Sequence, residues 1–154
     1  MKTKEQIVNS KPVYLHDWKE SKRFGLIMDF EDVYISEAEY KAKKAPYPNV
    51  EAWHGHKRDA DKALAVHEGE KILFATYTYR NYSGDAWVLF EKGGELYEVN
   101  GGHCSCNGLE GQWTPEKVLL RELKHRVTEG RFGTDDYNDG SFKDELKKFL
   151  GIKD

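Results

Sequence analysis

The clearest pattern of hydrophobic and polar positions lies in the middle of the chain. Three short runs rich in β-branched and aromatic side chains occur at residues 72–79, 86–90 and 96–99. Gly93 and Gly94 separate the second run from the third, and glycine tolerates the positive φ angles of a tight hairpin turn. Residues 80–85 are expected to form a loop between the first two runs. The pattern predicts an antiparallel β-meander.

The two-glycine turn also fixes how the second and third runs pair. It places Lys92 opposite Glu95, Phe90 opposite Tyr97 and Val88 opposite Val99. Because side chains alternate between the two faces of a strand, the paired hydrophobic residues share one face, which we take as the core face. The other face holds Trp87, Leu89, Glu91, Leu96 and Glu98. This mixture of apolar and acidic side chains predicts a face that is only partly covered.

Helical patterns flank the predicted sheet on both sides. Helices are predicted over residues 3–9, 36–44, 49–67, 115–127 and 141–150. Ser36 and Glu39 have the spacing of a capping box. Thr114 suits the cap of the fourth helix and Pro115 its first position. Ser141 is expected to cap the last helix, which should bury one apolar face.

Two apolar segments near the start of the chain are interpreted as extended. Residues 13–15 predict an edge strand, and residues 25–30 predict a strand or a buried extended segment. A length of 154 residues suits one domain with a real core, and an aromatic fraction of 13% supplies large side chains to fill it. The sequence therefore predicts a single α+β domain over residues 1–154. Its antiparallel β-meander of three to five strands packs with several short helices.

Charge and hydropathy narrow the classes of partner. The formal net charge is −3, and neither half of the chain carries a strong excess of one sign. Nonspecific nucleic-acid binding usually requires a basic stripe, so a protein partner is favoured over nucleic acid. No apolar run could span a bilayer, and the N-terminal lysines precede no apolar signal core. We expect a cytoplasmic protein without membrane association, whose cysteines are thiols.

The stretch from Val99 to Trp113 contains both cysteines of the chain and four of its glycines. His103, Cys104 and Cys106 are three zinc-type ligands within four residues, and a structural zinc site needs four. A histidine from elsewhere in the chain or a water would complete it; the histidine candidates are His54, His56, His67 and His125. The favoured alternative is a tight glycine-rich loop after a strand, with Trp113 filling the core. No cofactor other than zinc is predicted.

A cysteine nucleophile is a further alternative for the same stretch. Cys104 or Cys106 would need a histidine base and an orienting group within hydrogen-bond reach. His103 is a poor base for Cys104, because adjacent side chains point to opposite sides of an extended backbone. The sequence therefore favours a protein that is not an enzyme and leaves the small-hydrolase hypothesis open.

Two groups of side chains are candidates for an interface. Lys117, Arg121 and Lys124 form a basic edge on the predicted helix 115–127, which could meet an acidic partner or nucleic acid; a solvated helix face is the alternative. Tyr82 and Trp87 belong to an aromatic group around the first hairpin. Tyrosine and tryptophan are enriched in protein interfaces, and burial in the core is the alternative.

Four segments of the chain together resemble small uncharacterised proteins of tailed bacteriophages. They are residues 82–90, residues 96–101, the run His103-Cys104-Ser105-Cys106, and residues 108–113; residues 11–15 add a weaker likeness. The resemblance covers about the middle third of the chain. It implies a phage origin and location in the host cytoplasm, and it implies no activity or catalytic residue.

Three functions from different classes follow from these observations. The first is a small phage accessory protein that binds a host or defence protein without catalysis. The second is a zinc-binding protein or small hydrolase centred on His103, Cys104 and Cys106. The third is nucleic-acid binding through the helix at residues 115–127.

Overall fold

The meander forms the centre of the fold. The computed structural model describes residues 1–42, 59–80, 83–104, 108–135 and 140–153. In chain order its elements are α1 (Lys4–Val8), β1 (Val13–His16), α2 (Lys22–Glu31), α3 (Glu37–Ala42), α4 (residues 59–66), β2 (Lys71–Arg80), β3 (Ser83–Lys92), β4 (Glu95–Cys104), β5 (Glu116–Lys117), α5 (Leu120–Glu129) and α6 (Lys143–Leu150). These elements confirm the predicted α+β fold.

Within these residues the sheet has five strands in the order β1-β2-β3-β4-β5. The pairs β2–β3, β3–β4 and β4–β5 are antiparallel, and β1 is an edge strand that pairs with β2 in parallel. Gly93 and Gly94 have φ angles of 61° and 84° and make the predicted turn. The register of β3 and β4 is confirmed, including the pairing of Phe90 with Tyr97.

The strands are longer than the hydrophobic runs suggest. The predicted loop at residues 80–85 is wrong, because β2 and β3 continue to pair as far as Arg80 and Ser83. Backbone hydrogen bonding sustains these ladders beyond the point where the apolar pattern ends. The same is true of β4, which runs through both glycines of its C-terminal half to Cys104.

Helices cover one face of the sheet, called here the first face, with an aromatic core. Helix α2 supplies five buried apolar side chains and α4 supplies Ala60 and Ala63. They pack on Ala75, Tyr77, Ala86, Val88, Phe90 and Val99 of the sheet. Trp18 is fully buried among them and lies 5.1 Å from Tyr77 between ring centroids. This face is the predicted core face.

The opposite face, called here the second face, carries a second core. Helices α1, α5 and α6 bring Ile7, Leu123, Val127, Leu146, Phe149 and Leu150 onto Leu73, Phe74, Trp87, Leu89 and Leu96. Leu89 is fully buried, and Glu98 is only 8% exposed. The helices cover the apolar part of this face, and the expectation that the face is partly covered is confirmed. A bulge between Ile72 and Phe74 shifts the register of β2 at this point.

Two element predictions are wrong. Residues 25–30 lie in helix α2, because a short apolar run buried on several sides has no period that distinguishes helix from strand. The helix predicted at 115–127 begins only at Leu120, since Glu116 and Lys117 pair with β4 as strand β5. Ladder pairing with Tyr97 and Glu98 outweighs the local helix-start pattern.

The helix ends follow the predicted chemistry in part. Ser36 and Glu39 form the predicted capping box at α3, with the Glu39 amide donating to Ser36 Oγ at 3.1 Å. Ser141 does not cap α6; its hydroxyl donates to the Gly133 carbonyl oxygen, and Phe142 takes the cap position. The predicted helix at 49–67 is described only from residue 59, where it is helical to residue 66.

No helix among the described residues is long and apolar enough to cross a bilayer.

Candidate functional site

The stretch from Val99 to Trp113 begins as a strand. The prediction of a glycine-rich loop is wrong for residues 100–104, which pair with β3 as far as Ser83. His103 is buried on the first face, with its ring edge-on to Tyr77 at a centroid distance of 6.3 Å. Residues 105–107, including Cys106, lie outside the described residues, as does the Cys104 side chain.

The zinc site at His103, Cys104 and Cys106 stays a prediction. Among the described residues no three His, Cys, Asp or Glu side chains form a group that could hold a metal ion. Of the suggested fourth ligands, His67 contacts two carboxylates and His125 is exposed on α5. His54 and His56 lie outside the described residues.

Gln112 links residues 108–113 to strand β4. Its side-chain amide works like a short neighbouring strand: Oε1 accepts from the Gly102 amide at 2.7 Å, and Nε2 donates to the Gly102 carbonyl oxygen at 2.7 Å. Nε2 also donates to the Gly108 carbonyl oxygen at 2.8 Å. A Cβ on Gly101 would lie 3.1 Å from Leu109 Cδ2. Glycine therefore allows residues 108–113 to fold back onto the strand.

A buried polar network closes the first face near Trp113. His67 is 1% exposed and contacts Glu70 at 2.7 Å through Nδ1 and Glu31 at 3.2 Å through Nε2. Both ring nitrogens can donate to carboxylates only when the imidazole is protonated. Trp113 fills the core as predicted, with its ring 4.7 Å from His67 and 4.9 Å from Phe30. The network joins α2, α4 and β2.

The predicted interface residues do not form one surface. Trp87 is 2% exposed and stacks on Phe142 in the second core, so it offers no surface to a partner. Tyr82 lies outside the described residues. Lys117 is on strand β5 and not on a helix, whereas Arg121 and Lys124 are exposed on α5. The basic edge is therefore split between two elements.

Glu98 links Trp87 and Arg126 on the second face. The indole nitrogen of Trp87 donates to Glu98 Oε1 at 2.9 Å, and Arg126 donates to Glu98 Oε2 at 2.9 Å. The Arg126 guanidinium also lies over the Phe132 ring, 4.8 Å from its centroid. Glu98 therefore neutralises Arg126 and satisfies Trp87 inside the second core.

A cavity lies at one end of the second face, and we call it the sheet-end cavity. Its volume is about 540 Å³. Four polar side chains from three adjacent strands form its floor: Thr76 and Thr78 of β2, Asp85 of β3 and Asn100 of β4. Thr78 stands opposite Asp85, and Trp87 stands between Thr76 and Asn100. Facing side chains on adjacent strands have Cβ atoms about 4.5–5.5 Å apart, so one small molecule could contact several of them.

The floor side chains have no hydrogen-bond partner among the residues that the structure describes, and the Thr76 hydroxyl is the clearest case. Thr76 is only 3% exposed, and its hydroxyl has no hydrogen-bond partner in the described part of the chain. Thr78, Asp85 and Asn100 make no side-chain hydrogen bond or ion pair to the described residues either. A buried hydroxyl without a partner costs about 1–3 kcal/mol. This cost marks the floor as a place where a bound molecule could supply the missing hydrogen bonds.

The walls of the sheet-end cavity are aromatic on one side and charged on the other. Phe132 and Phe142 pack on Trp87, with centroid distances of 5.1 Å and 5.7 Å. The segment before α6 contributes Arg131 and Asp135 to the lining. Apolar packing thus holds the inner wall, and charged groups of both signs line the outer one.

Sequence reasoning missed this cavity. The available signal is a change along the second face, from the apolar Phe74, Leu89 and Leu96 at one end to threonine, aspartate and asparagine at the other. Alternation along each strand identifies these polar positions once the register is known. The walls come from residues 131–135, Gly140 and Phe142, which no local pattern connects with the sheet.

A different surface exposes apolar side chains. Tyr34 is 79% exposed and Val66 is 59% exposed, beside the C-terminal end of α2 and on α4. The hydrogen bond from Tyr34 to Asp32 raises the pKa of the tyrosine, and the charges of Asp32 and Glu110 add to this shift. Tyr34 and Val66 thus lie in acidic surroundings.

Comparison with protein-family models, with curated proteins and with solved structures finds no match for this chain.

Proposed function

We propose that this protein acts by non-covalent binding, and that the sheet-end cavity takes a small polar molecule. The observation that supports this most directly is the hydroxyl of Thr76, which is buried, unpartnered and part of the cavity floor. Natural cores pair nearly all their buried polar atoms, and each exception calls for an explanation. A ligand that hydrogen-bonds to this hydroxyl is such an explanation.

The dimensions of the cavity agree with this proposal. A volume of about 540 Å³ falls inside the range of about 300–1,000 Å³ typical of small-molecule sites. Such sites combine an apolar wall with a few convergent polar groups, and this cavity combines aromatic side chains with the polar floor. All four floor residues stand on β2, β3 and β4, the three inner strands of the sheet, so the scaffold holds them in place.

Chemical-shift mapping with a library of small polar fragments tests the proposal. We expect fragments to shift the backbone amide signals of Thr76, Thr78 and Asn100. The variant Asn100→Phe places a large ring in the open part of the cavity and should abolish these shifts. Glu95→Phe, on an exposed position of the same strand, is the matched control and should retain them. A library that leaves these amides unmoved in the wild-type protein would overturn the proposal.

Binding of a host or defence protein, the first of the three functions that the sequence predicts, is the second candidate function. The exposed side chains of Tyr34 and Val66, in acidic surroundings, favour it, since tyrosine is enriched in interfaces and carboxylates would attract a basic partner. Tagged wild-type protein is expected to capture a host protein. The tagged double variant Tyr34→Ser and Val66→Ser should not capture it. Leu119→Ser, at an exposed apolar residue elsewhere, should still capture it. Equal capture by the double variant would contradict this candidate.

A further inference from the structure

The structure points to a class of ligand for the sheet-end cavity, and this inference rests on the proposed function. We infer that the cavity recognises a neutral molecule bearing vicinal hydroxyl groups, of monosaccharide to nucleoside size. Thr76, Thr78, Asp85 and Asn100 supply the hydrogen bonds, and the aromatic wall contacts the apolar side of the ligand.

The hydrogen-bonding capacity of the floor favours hydroxyl groups. Each threonine hydroxyl donates one hydrogen bond and accepts others, the Asn100 amide does both, and the Asp85 carboxylate only accepts. A ligand hydroxyl also donates and accepts, so it can satisfy any of these groups in either direction. A carboxylate ligand only accepts, which leaves Asp85 without a donor, and the negative charge of a phosphate ligand is repelled by the Asp85 carboxylate.

The charges around the cavity favour a ligand without net charge. Asp85 on the floor and Asp135 on the wall carry negative charge, and Arg131 on the wall carries positive charge. An anion would approach two carboxylates, and a cation would approach a guanidinium. A neutral hydroxylated molecule avoids both repulsions, and two carboxylates with one guanidinium can still orient its hydroxyl dipoles.

Spacing supports several hydroxyl contacts at once. Thr76 and Thr78 are two residues apart on one strand and therefore on the same face, about 6–7 Å apart along it. Asp85 stands directly across from Thr78. A sugar ring with adjacent hydroxyls spans these distances, whereas a molecule with one polar group reaches only one of them.

The test is titration of the whole protein with matched probes, followed by the amide signals of the floor residues. The hydroxylated probes are D-glucose, D-ribose and adenosine, which separate a free sugar from a nucleoside as the source of the hydroxyls. The matched analogue is 2′,3′-dideoxyadenosine, and inorganic phosphate represents anions. We expect at least one hydroxylated probe to bind. If adenosine binds, it should bind at least about tenfold more tightly than its dideoxy analogue.

Thr76→Val sharpens the test because valine has nearly the same shape and lacks the hydroxyl. We expect the dissociation constant for the hydroxylated probe to rise about fivefold to tenfold, as the loss of one hydrogen bond requires. The melting temperature of the unliganded variant should stay unchanged or rise, because an unpartnered buried hydroxyl is removed. Thr114→Val changes an exposed threonine outside the cavity and should alter neither quantity.

The outcomes separate the two proposals. Binding of phosphate or of the dideoxy analogue as tightly as the hydroxylated probes would overturn the ligand class. Failure of every hydroxylated probe, while other polar fragments bind the cavity, would also overturn the class and leave the proposed function standing. Absence of any cavity ligand, in both this panel and the fragment library, would overturn the proposed function itself.

Discussion

The two faces of the sheet differ in how they are covered and in whether their polar side chains have partners. The first face is covered by α2, α4 and residues 108–113, and two of its polar side chains have protein partners: Trp18 donates to Asp29, and His67 contacts two glutamates. The second face is apolar and covered at one end but polar and open at the other, where Thr76 is unpartnered. The difference separates a face that is packed against helices from one whose polar end has room for the ligand proposed above.

The largest expected effect contrasts the two ends of the second face. Leu89→Ala removes a fully buried side chain from the apolar end, and we expect it to lower the free energy of unfolding by about 2–5 kcal/mol. Asn100→Ala lies at the open end, where the side chain has no protein partner among the described residues. It should change the free energy of unfolding by less than about 0.5 kcal/mol. Urea denaturation measures both. Equal losses would show that the open end is as important for stability as the covered one.

The polar network of the first face predicts the next largest effect. His67→Ala leaves the buried carboxylate of Glu70 without its 2.7 Å partner, and we expect a loss of about 3 kcal/mol. His125→Ala on the exposed face of α5 is the matched control and should cost less than about 0.5 kcal/mol. Thermal and urea unfolding of both variants check the comparison. A His67 variant as stable as the His125 variant would mean that the network contributes nothing to stability.

Gln112 offers a smaller test of how the first face is closed. Gln112→Met keeps the length of the side chain but removes its three hydrogen bonds to Gly102 and Gly108, and should cost about 1–2 kcal/mol. Water can replace part of the loss because Gly102 is exposed. Lys117→Met on β5 is the control for the added thioether. Amide exchange should accelerate at Gly102 in the Gln112 variant alone, and unchanged exchange there would contradict the strand-like role of Gln112.

The smallest effect concerns pH. Desolvation raises the pKa of Asp29, and the charge of Asp17 adds to this, while the hydrogen bond from Trp18 lowers it. A carboxyl with a raised folded pKa favours folding when protonated, so this contribution fades as pH rises through that pKa. Asp29→Asn should therefore be slightly more stable than wild type at pH 7, by less than about 0.5 kcal/mol after solvent screening. The difference should vanish below the ordinary aspartate pKa of about 3.9; a constant difference across pH would argue against this origin.

Local chemistry predicted part of this molecule well. The turn at Gly93 and Gly94 needs positive φ angles that glycine adopts freely, and from that turn the pairing of Phe90 with Tyr97 follows. Residues 25–30 could not be assigned correctly, since a short apolar run suits a buried helix and a buried strand equally. Glu116 and Lys117 formed a strand because β4 offered an open edge, which the local sequence does not reveal.

The candidate site was beyond local prediction for a different reason. Its floor comes from three strands and its wall from residues 131–135, Gly140 and Phe142, so it exists only after the chain has folded. The stretch with His103 attracted attention because its ligands are adjacent in sequence. Thr76 and Asn100 belong to no recognisable catalytic or metal-ligand motif in the sequence. They become candidate site residues because the fold places both in the cavity lining, where the Thr76 hydroxyl has no partner among the described residues.

The parallel edge strand β1 has a consequence for how the chain assembles. Strands β2, β3 and β4 are joined by short hairpin connections, whereas β1 must find β2 across residues 17–70. Closing a long loop is entropically slow compared with closing a hairpin, so we expect the meander to form early and β1 to dock late. The N-terminal strand should also be the first part of the sheet to detach, and its amides should exchange with solvent well before those of β3.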